Sequence, residues 1–358
     1  MHSKKILGFS YFHCMKLIKY IITGLFWAGS LLFVNVQSSL AQELQRYSFD
    51  SRHMGTQITI ILYAEDETVA FRASEAAFER IEELNQLMSD YIATSEVNRL
   101  SEKSGSGNWI KISDELYDVL ETSVQISEMT GGLFDVTMGP VTHEMRYIRM
   151  MGEPELPDDE KLKRLLDKVG YQQIEFEEQT RSVRLKRRTM QLDLGGIAKG
   201  YAAEKAIEKL KEFGIESALV DAGGDITVSA PPPGRESWTV AVPKGIADGE
   251  RLMASLKLRD KTVTTSGDMF QFVEIDGVRY SHIINPKTGF GSTYRIQATV
   301  ISDNGMYADA LASACTLMHP DECLYIISRI DNAEAVLFRS QNGEIEEWTT
   351  AGFGRFID

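Results

Sequence analysis

Apolar positions along the chain follow two rhythms. Residues 56–63, TQITIILY, set β-branched side chains in partial alternation and predict a strand. Over 66–89, Ile81, Leu84, Leu87 and Met88 recur at helical spacing and predict one long helix. Ser113 is placed to cap a second helix bearing Leu116, Val119, Leu120 and Ile126, which stops at Gly131-Gly132. A polar, proline-bearing link, MGEPELPDDEK, leads to a third helix over 158–169. QIEFEEQTRSVRLKRRTMQLDL alternates in two runs around a polar turn and predicts a hairpin, with Lys186, Arg187 and Arg188 on a solvated strand face. A helix over 199–212 ends at Gly214, and a strand over 217–221 runs into AGGDI. Short strands follow from 225 to 301, a helix spans 306–318, and strands close the chain. There is no sustained strand-helix-strand rhythm. The pattern predicts an α+β fold of mostly antiparallel sheets flanked by helices, not a doubly wound sheet.

The first 41 residues break this pattern. Lys16 and Lys19 precede an apolar run from Ile21 to Val36, which closes on Ser39-Leu40-Ala41, a small-x-small sequence. This predicts a secretory signal peptide cleaved after Ala41, with Met15 as a second candidate start. The apolar run is short for a membrane span. The expected product is exported and periplasmic, soluble or loosely membrane-associated. Residues 42–358 are then a single domain, either one body or two lobes with a ligand between them.

The chain has 358 residues, 43% hydrophobic and 25% charged, an ordinary globular composition. Its net charge is −14, and removing the leader with its four lysines and no acid takes it to −18. That balance argues against a nucleic-acid partner, which calls for a basic surface. Of three cysteines, Cys14 lies in the leader, and Cys315 and Cys323 read as small buried thiols.

Several stretches are glycine-rich where the chain turns out of core elements: HMGTQ (53–57), GGLFDVTMGPV (131–141), LDLGGIAKG (192–200), VDAGGDI (220–226) and 264–289. Glycine there permits positive φ and close approach of backbone to a ligand, or simply makes a helix stop or a tight turn. Asp309 and Ser313 stand four apart on a predicted helix among alanines, so they share one buried face. A buried carboxylate needs a partner. Two readings stay open: an all-oxygen set for Mg2+, or a carboxylate paired with a base such as Lys199. LDLGGIAKG is not a triphosphate loop, because its lysine precedes the glycine. No H-E-x-x-H, C-x-x-C or G-x-S-x-G occurs.

Taken in order, the motifs resemble the FAD:protein FMN transferase (ApbE-like) family. They are MGT (54–56), MSDY (88–91) with SEVNRL (95–100), GLFDVTMGP (132–140), LDLGGIAKGYAAE (192–204), DAGGDI (221–226), TSGD (265–268), SHIINPKTG (281–289) and ADALASA (308–314). The resemblance implies a T-fold-like architecture. It implies Mg2+-dependent transfer of the FMN half of FAD to a Ser or Thr hydroxyl of an acceptor flavoprotein, with AMP released. By the family pattern, Asp309, Ser313 and the Gly196 carbonyl hold the metal, Ser313 standing where threonine is usual. Met54, Tyr91, Asp135, Asp193, Lys199, His282 and Ile283 contact FAD. His282 is the expected base, with Lys199 and Asp268 as further catalytic residues. The acceptor is expected among exported flavoproteins or membrane redox subunits. Two alternatives accompany this reading: a hydrolase giving free FMN and AMP, and a flavin-binding protein without turnover.

Overall fold

Thr56–Ala64 pairs along its length with Gln45–His53, and Met54 and Gly55 turn the chain between them at φ of 50° and 75°. Positive φ at both turn positions matches the right-handed twist of a hairpin. This pair forms one edge of an eight-stranded sheet. The other strands, in chain order, are Ala218–Ala222, Asp225–Val228, Lys261–Gly267, Arg295–Ser302, Glu334–Gln341 and Glu344–Thr349. Each pairs antiparallel with its neighbour, and the order across the sheet follows the chain. The computed structural model describes residues 43–151, 155–247, 250–268, 271–341 and 344–357. The expected signal peptide lies outside the described residues.

Both faces of the sheet are apolar. Ile58, Ile60 and Leu62 point into a large core closed by the helices Glu67–Met88, Asp114–Met129, Ala198–Glu212 and Gly305–Cys315. Ile61 and Tyr63 point the other way, against Trp238, Val240 and Leu256 of the hairpin Trp238–Ala247/Glu250–Leu258. The expected α+β architecture is therefore present, with an antiparallel sheet between a helical layer and a hairpin. Truncating Ile60 to alanine in such a core costs about 2–5 kcal/mol.

Local signals hold where the chemistry is local. Ser113 Oγ accepts from the Leu116 amide at 3.3 Å, and the helix it caps gives way to Gly131 and Gly132 at φ of 58° and 79°. Three readings change. Lys186, Arg187 and Arg188 lie beyond the strand Ser182–Leu185, in an exposed turn. Gly139–Met150 is a helix that begins inside the glycine-rich stretch 131–141 and runs on through residues to which the sequence pattern gave no element; Pro140 sits in its first turn, where no amide donor is needed. Cys315 and Cys323 form a disulfide. The Gly305–Cys315 helix ends, the chain turns, and Pro320–Ile327 carries Cys323 back to a Cα separation of 5.2 Å.

Candidate active site

An open cleft of about 960 Å³ runs along one end of the helical layer. Tyr91, Asp135, Asp193, Gly196, His282, Ile283 and Ser313 all line it, from five separate stretches of chain. Tyr91 follows the end of the Glu67–Met88 helix, and its side chain is 73% exposed. The Arg146 guanidinium lies over its ring at 4.1 Å, which holds the ring face in place. The two carboxylates of this wall act on backbone. Asp135 takes the Thr137 amide at 2.8 Å and the Tyr171 amide at 3.0 Å, and burial pushes its carboxyl up. Asp193 takes the Gly195 amide at 2.9 Å, Thr142 Oγ1 at 2.7 Å and Arg146 at 3.3 Å. The Asp193 contact fixes the turn that presents Gly195 and Gly196. A Cβ on Gly196 would stand 3.4 Å from Phe134 and 3.6 Å from Ser313 Oγ. Glycine leaves that gap open.

Behind Gly196 and Ser313 lies a charged centre. The Ala198–Glu212 and Gly305–Cys315 helices cross at Gly200 and Gly305, where a Cβ on either would collide with the other's carbonyl. The close crossing lets Asp309 Oδ2 accept the Gly200 amide at 3.1 Å. An amide at the start of a helix thus goes to a protein carboxylate, not to a ligand phosphate. Lys199 Nζ is bound to Asp225 and stands 3.9 Å from Asp309. Asp221 is the third carboxylate; it takes the Gly224 amide at 2.8 Å. Three acids thus face one ammonium. Burial and the neighbouring Asp225 push the Asp309 carboxyl up to about 7, and burial also raises Asp221. Lys199 is held above its ordinary range by these acids, against its own burial. The Ser313 hydroxyl meets the Ser266 hydroxyl at 3.1 Å at the edge of this centre.

His282 forms the opposite lip. Its Nδ1 lies 3.0 Å from the Gln271 carbonyl. A carbonyl only accepts, so Nδ1 carries the hydrogen and Nε2 keeps its lone pair. Burial pushes the imidazole below its ordinary range, and the charges of Arg149 and Lys199 add to this. Asp268 does not line the cleft. Its carboxylate accepts from Arg279 Nε at 2.9 Å, and Arg279 also stacks on Phe272, so Asp268 ties down the hairpin Phe272–Ile275/Val278–Ser281. Met54 and Lys199 also lie outside the lining. Met54 sits in the turn beside Gly223, whose missing side chain makes room for Thr56.

The structure adds residues that sequence reasoning did not single out. Asp225 and Asp221 complete the charged centre, Ser266 partners Ser313, and Arg146 and Arg149 line the cleft. The first three lie inside motifs already noticed, so their polarity among glycines was the available signal. The arginines carry no local signal.

The donors fit a hard cation. Asp309, Ser313 and the Gly196 carbonyl are all oxygen, and the centre's uncompensated negative charge favours a positive ion. Among the described residues, no group of three or more His, Cys, Asp or Glu is placed to hold a metal by side chains alone. Any cation here therefore leans on hydroxyl, main-chain or substrate oxygens.

Comparison with known proteins places the chain among relatives. The ApbE family model matches residues 54–337. An FAD:protein FMN transferase of Haemophilus influenzae is 26% identical over 342 residues, covering 93% of this chain and 97% of that protein. One of Klebsiella pneumoniae is 29% identical over 264 residues, covering 74% of this chain and 79% of its own. Among solved structures, the flavin transferase ApbE from Vibrio cholerae superposes with a TM-score of 0.78 at 25% identity, over 88% of this chain and all of that one.

Proposed function

The chain belongs to the ApbE family, and from that premise we propose that it is an exported, Mg2+-dependent FAD:protein FMN transferase acting on a Ser or Thr hydroxyl of an acceptor flavoprotein. The observation that carries this reading is the pairing of His282, whose Nε2 has no hydrogen-bond partner among the described residues, with the Gly196–Ser313 edge of an electron-rich oxygen centre across one cleft. In the proposed reaction the acceptor oxygen bonds to the FMN phosphorus. The bond from that phosphorus to the bridging oxygen breaks, and the bridging oxygen leaves with AMP. The hydroxyl proton passes to His282 Nε2, for which a neutral imidazole is required. Phosphoryl transfer asks mainly for positioning and charge neutralisation, which suits a site without a protein nucleophile.

Asp309, Ser313 and the Gly196 carbonyl would hold Mg2+, which when bound offsets the charge of the pyrophosphate. Lys199 keeps Asp225 neutralised and limits repulsion on Asp309. Tyr91 offers a ring face to the flavin or the adenine, and Asp135 and Asp193 hold the turns that admit the nucleotide. The amino-terminal pattern supports the export reading, and the Cys315–Cys323 disulfide suits an oxidising compartment, where membrane redox subunits would present candidate acceptors.

The test incubates the mature protein with FAD, Mg2+ and an acceptor domain, then separates protein-bound from free flavin. Protein-bound FMN is expected. Free FMN alone would make the protein a hydrolase, and unchanged FAD would make it a binding protein.

A further inference from the structure

Arg146 and Arg149 stand three apart on the helix Gly139–Met150 and share the face that lines the cleft. Arg146 is fully matched: Asp90 lies at 2.9 Å, Asp193 at 3.3 Å, and the Tyr91 ring beneath it. Arg149 is not. Among the described residues no carboxylate, carbonyl or hydroxyl hydrogen-bonds to it. It is nevertheless half-buried, lining both the cleft and a small apolar cavity walled by Met145, Ile148, Tyr280 and Phe290. A cation near a helix C-terminus gains from the helix dipole, but a solvated side chain would gain as much. Burial beside a second guanidinium works against it. An arginine so placed calls for an anion from outside the chain, and its planar fork of N–H donors matches a phosphate. His282 lines the same two cavities.

We propose that Arg149 grips the phosphate of the FMN half of the substrate, the group whose phosphorus changes partners. The inference rests on the reading of the cleft as an FAD site. During transfer the non-bridging oxygens of that phosphate stay with FMN while the bridging oxygen departs with AMP. The grip of Arg149 therefore lasts from substrate to phosphoester product, and its loss affects FMN and not AMP. Arg149, Gly196 and Ser313 line the same cleft, so the proposal sets the phosphate between the Arg149 guanidinium and the Gly196–Ser313 edge of the oxygen centre.

The test is a set of fluorescence-quenching and competition titrations in EDTA, with no acceptor present. Riboflavin, FMN and AMP are compared on the wild type, Arg149→Gln and Arg149→Lys. The wild type should bind FMN roughly 10- to 100-fold more tightly than riboflavin, the worth of one charge-assisted contact. Arg149→Gln should erase that preference and leave riboflavin and AMP unchanged. Arg149→Lys, with a point charge in place of a fork, should keep part of it. Thermal melts matching the wild type show that each variant is folded. A preference that survives Arg149→Gln overturns the proposal, as does an equal weakening of riboflavin, which would mean a packing role. Failure of the wild type to bind any flavin would sink the FAD reading of the cleft along with it, whereas flavin binding with the preference unmoved would sink Arg149 alone.

Discussion

Two charged regions, one behind the Gly196–Ser313 edge of the cleft and one along its Arg146 wall, match their ions differently. Around Lys199, three carboxylates, Asp221, Asp225 and Asp309, share one ammonium. Around Arg146, two carboxylates, Asp90 and Asp193, are both spent on that arginine, with His143 also on Asp90 at 2.8 Å, and Arg149 receives none. One region is short of positive charge and the other carries a cation to spare. Neither balance helps the empty protein, because unmatched buried charge costs stability. Both make sense for a ligand that brings a cation to one side and a phosphate to the other. The wall around Asp135 shows the alternative. Its carboxylate closes on the Thr137 and Tyr171 amides and serves the fold.

The sharpest way to break this comparison is at Asp309. Asp309→Asn keeps a hydrogen-bond acceptor for the Gly200 amide and removes one negative charge. Transfer should fall by roughly 10³-fold or more if metal-assisted charge neutralisation is lost. The same change should raise the melting temperature of the metal-free protein. Burial lifts the Asp309 carboxyl from 3.8 to about 7, so its contribution to stability falls as pH rises between those two values and stays constant above them. A variant that still turned over would dissolve the contrast between the two regions.

His282→Ala should lower transfer by roughly 10²- to 10⁴-fold while FAD still binds. In the wild type, activity should fall as acid protonates His282. Because its pKa is lowered from 6.5, that loss should begin below the ordinary histidine range. An acidic limb above 6.5, or full activity without the imidazole, would remove His282 from the chemistry. Opening the Cys315–Cys323 bridge, which closes a short loop, should cost about 2 kcal/mol of stability in a melt with and without reductant. Transfer should change little, since Asp309 and Ser313 sit earlier in their helix. Tyr91→Ala is the mildest test. Losing a ring that stacks should weaken FAD by about tenfold, and the Arg146 pairings with Asp90 and Asp193 should survive.

Much of this was legible in the sequence because it is local. The Ile58–Leu62 alternation, the Ser113 cap and the spacing of Asp309 and Ser313 fix neighbours within one element. The Gln45–His53 strand was harder to see, because its polar residues lie on a sheet edge where solvent excuses them. The Gly139–Met150 helix opens on Gly-Pro and carries charges on its cleft face, so its pattern lacks a clean apolar stripe. The Lys199–Asp225 pair joins a helix start to a strand start 26 residues on, and no period reports that distance. The disulfide needed the turn between two helices, which spacing alone leaves free. Arg149 stands out only once it is known which carboxylates Arg146 has taken.

The most direct measurement is the balance of products in a single reaction. The mature protein is incubated with FAD, Mg2+ and a candidate acceptor, and AMP and intact acceptor are followed together by mass spectrometry. The account predicts one FMN on a Ser or Thr of the acceptor for each AMP released, and neither product with Asp309→Asn. AMP accompanied by free FMN and an unmodified acceptor would contradict it.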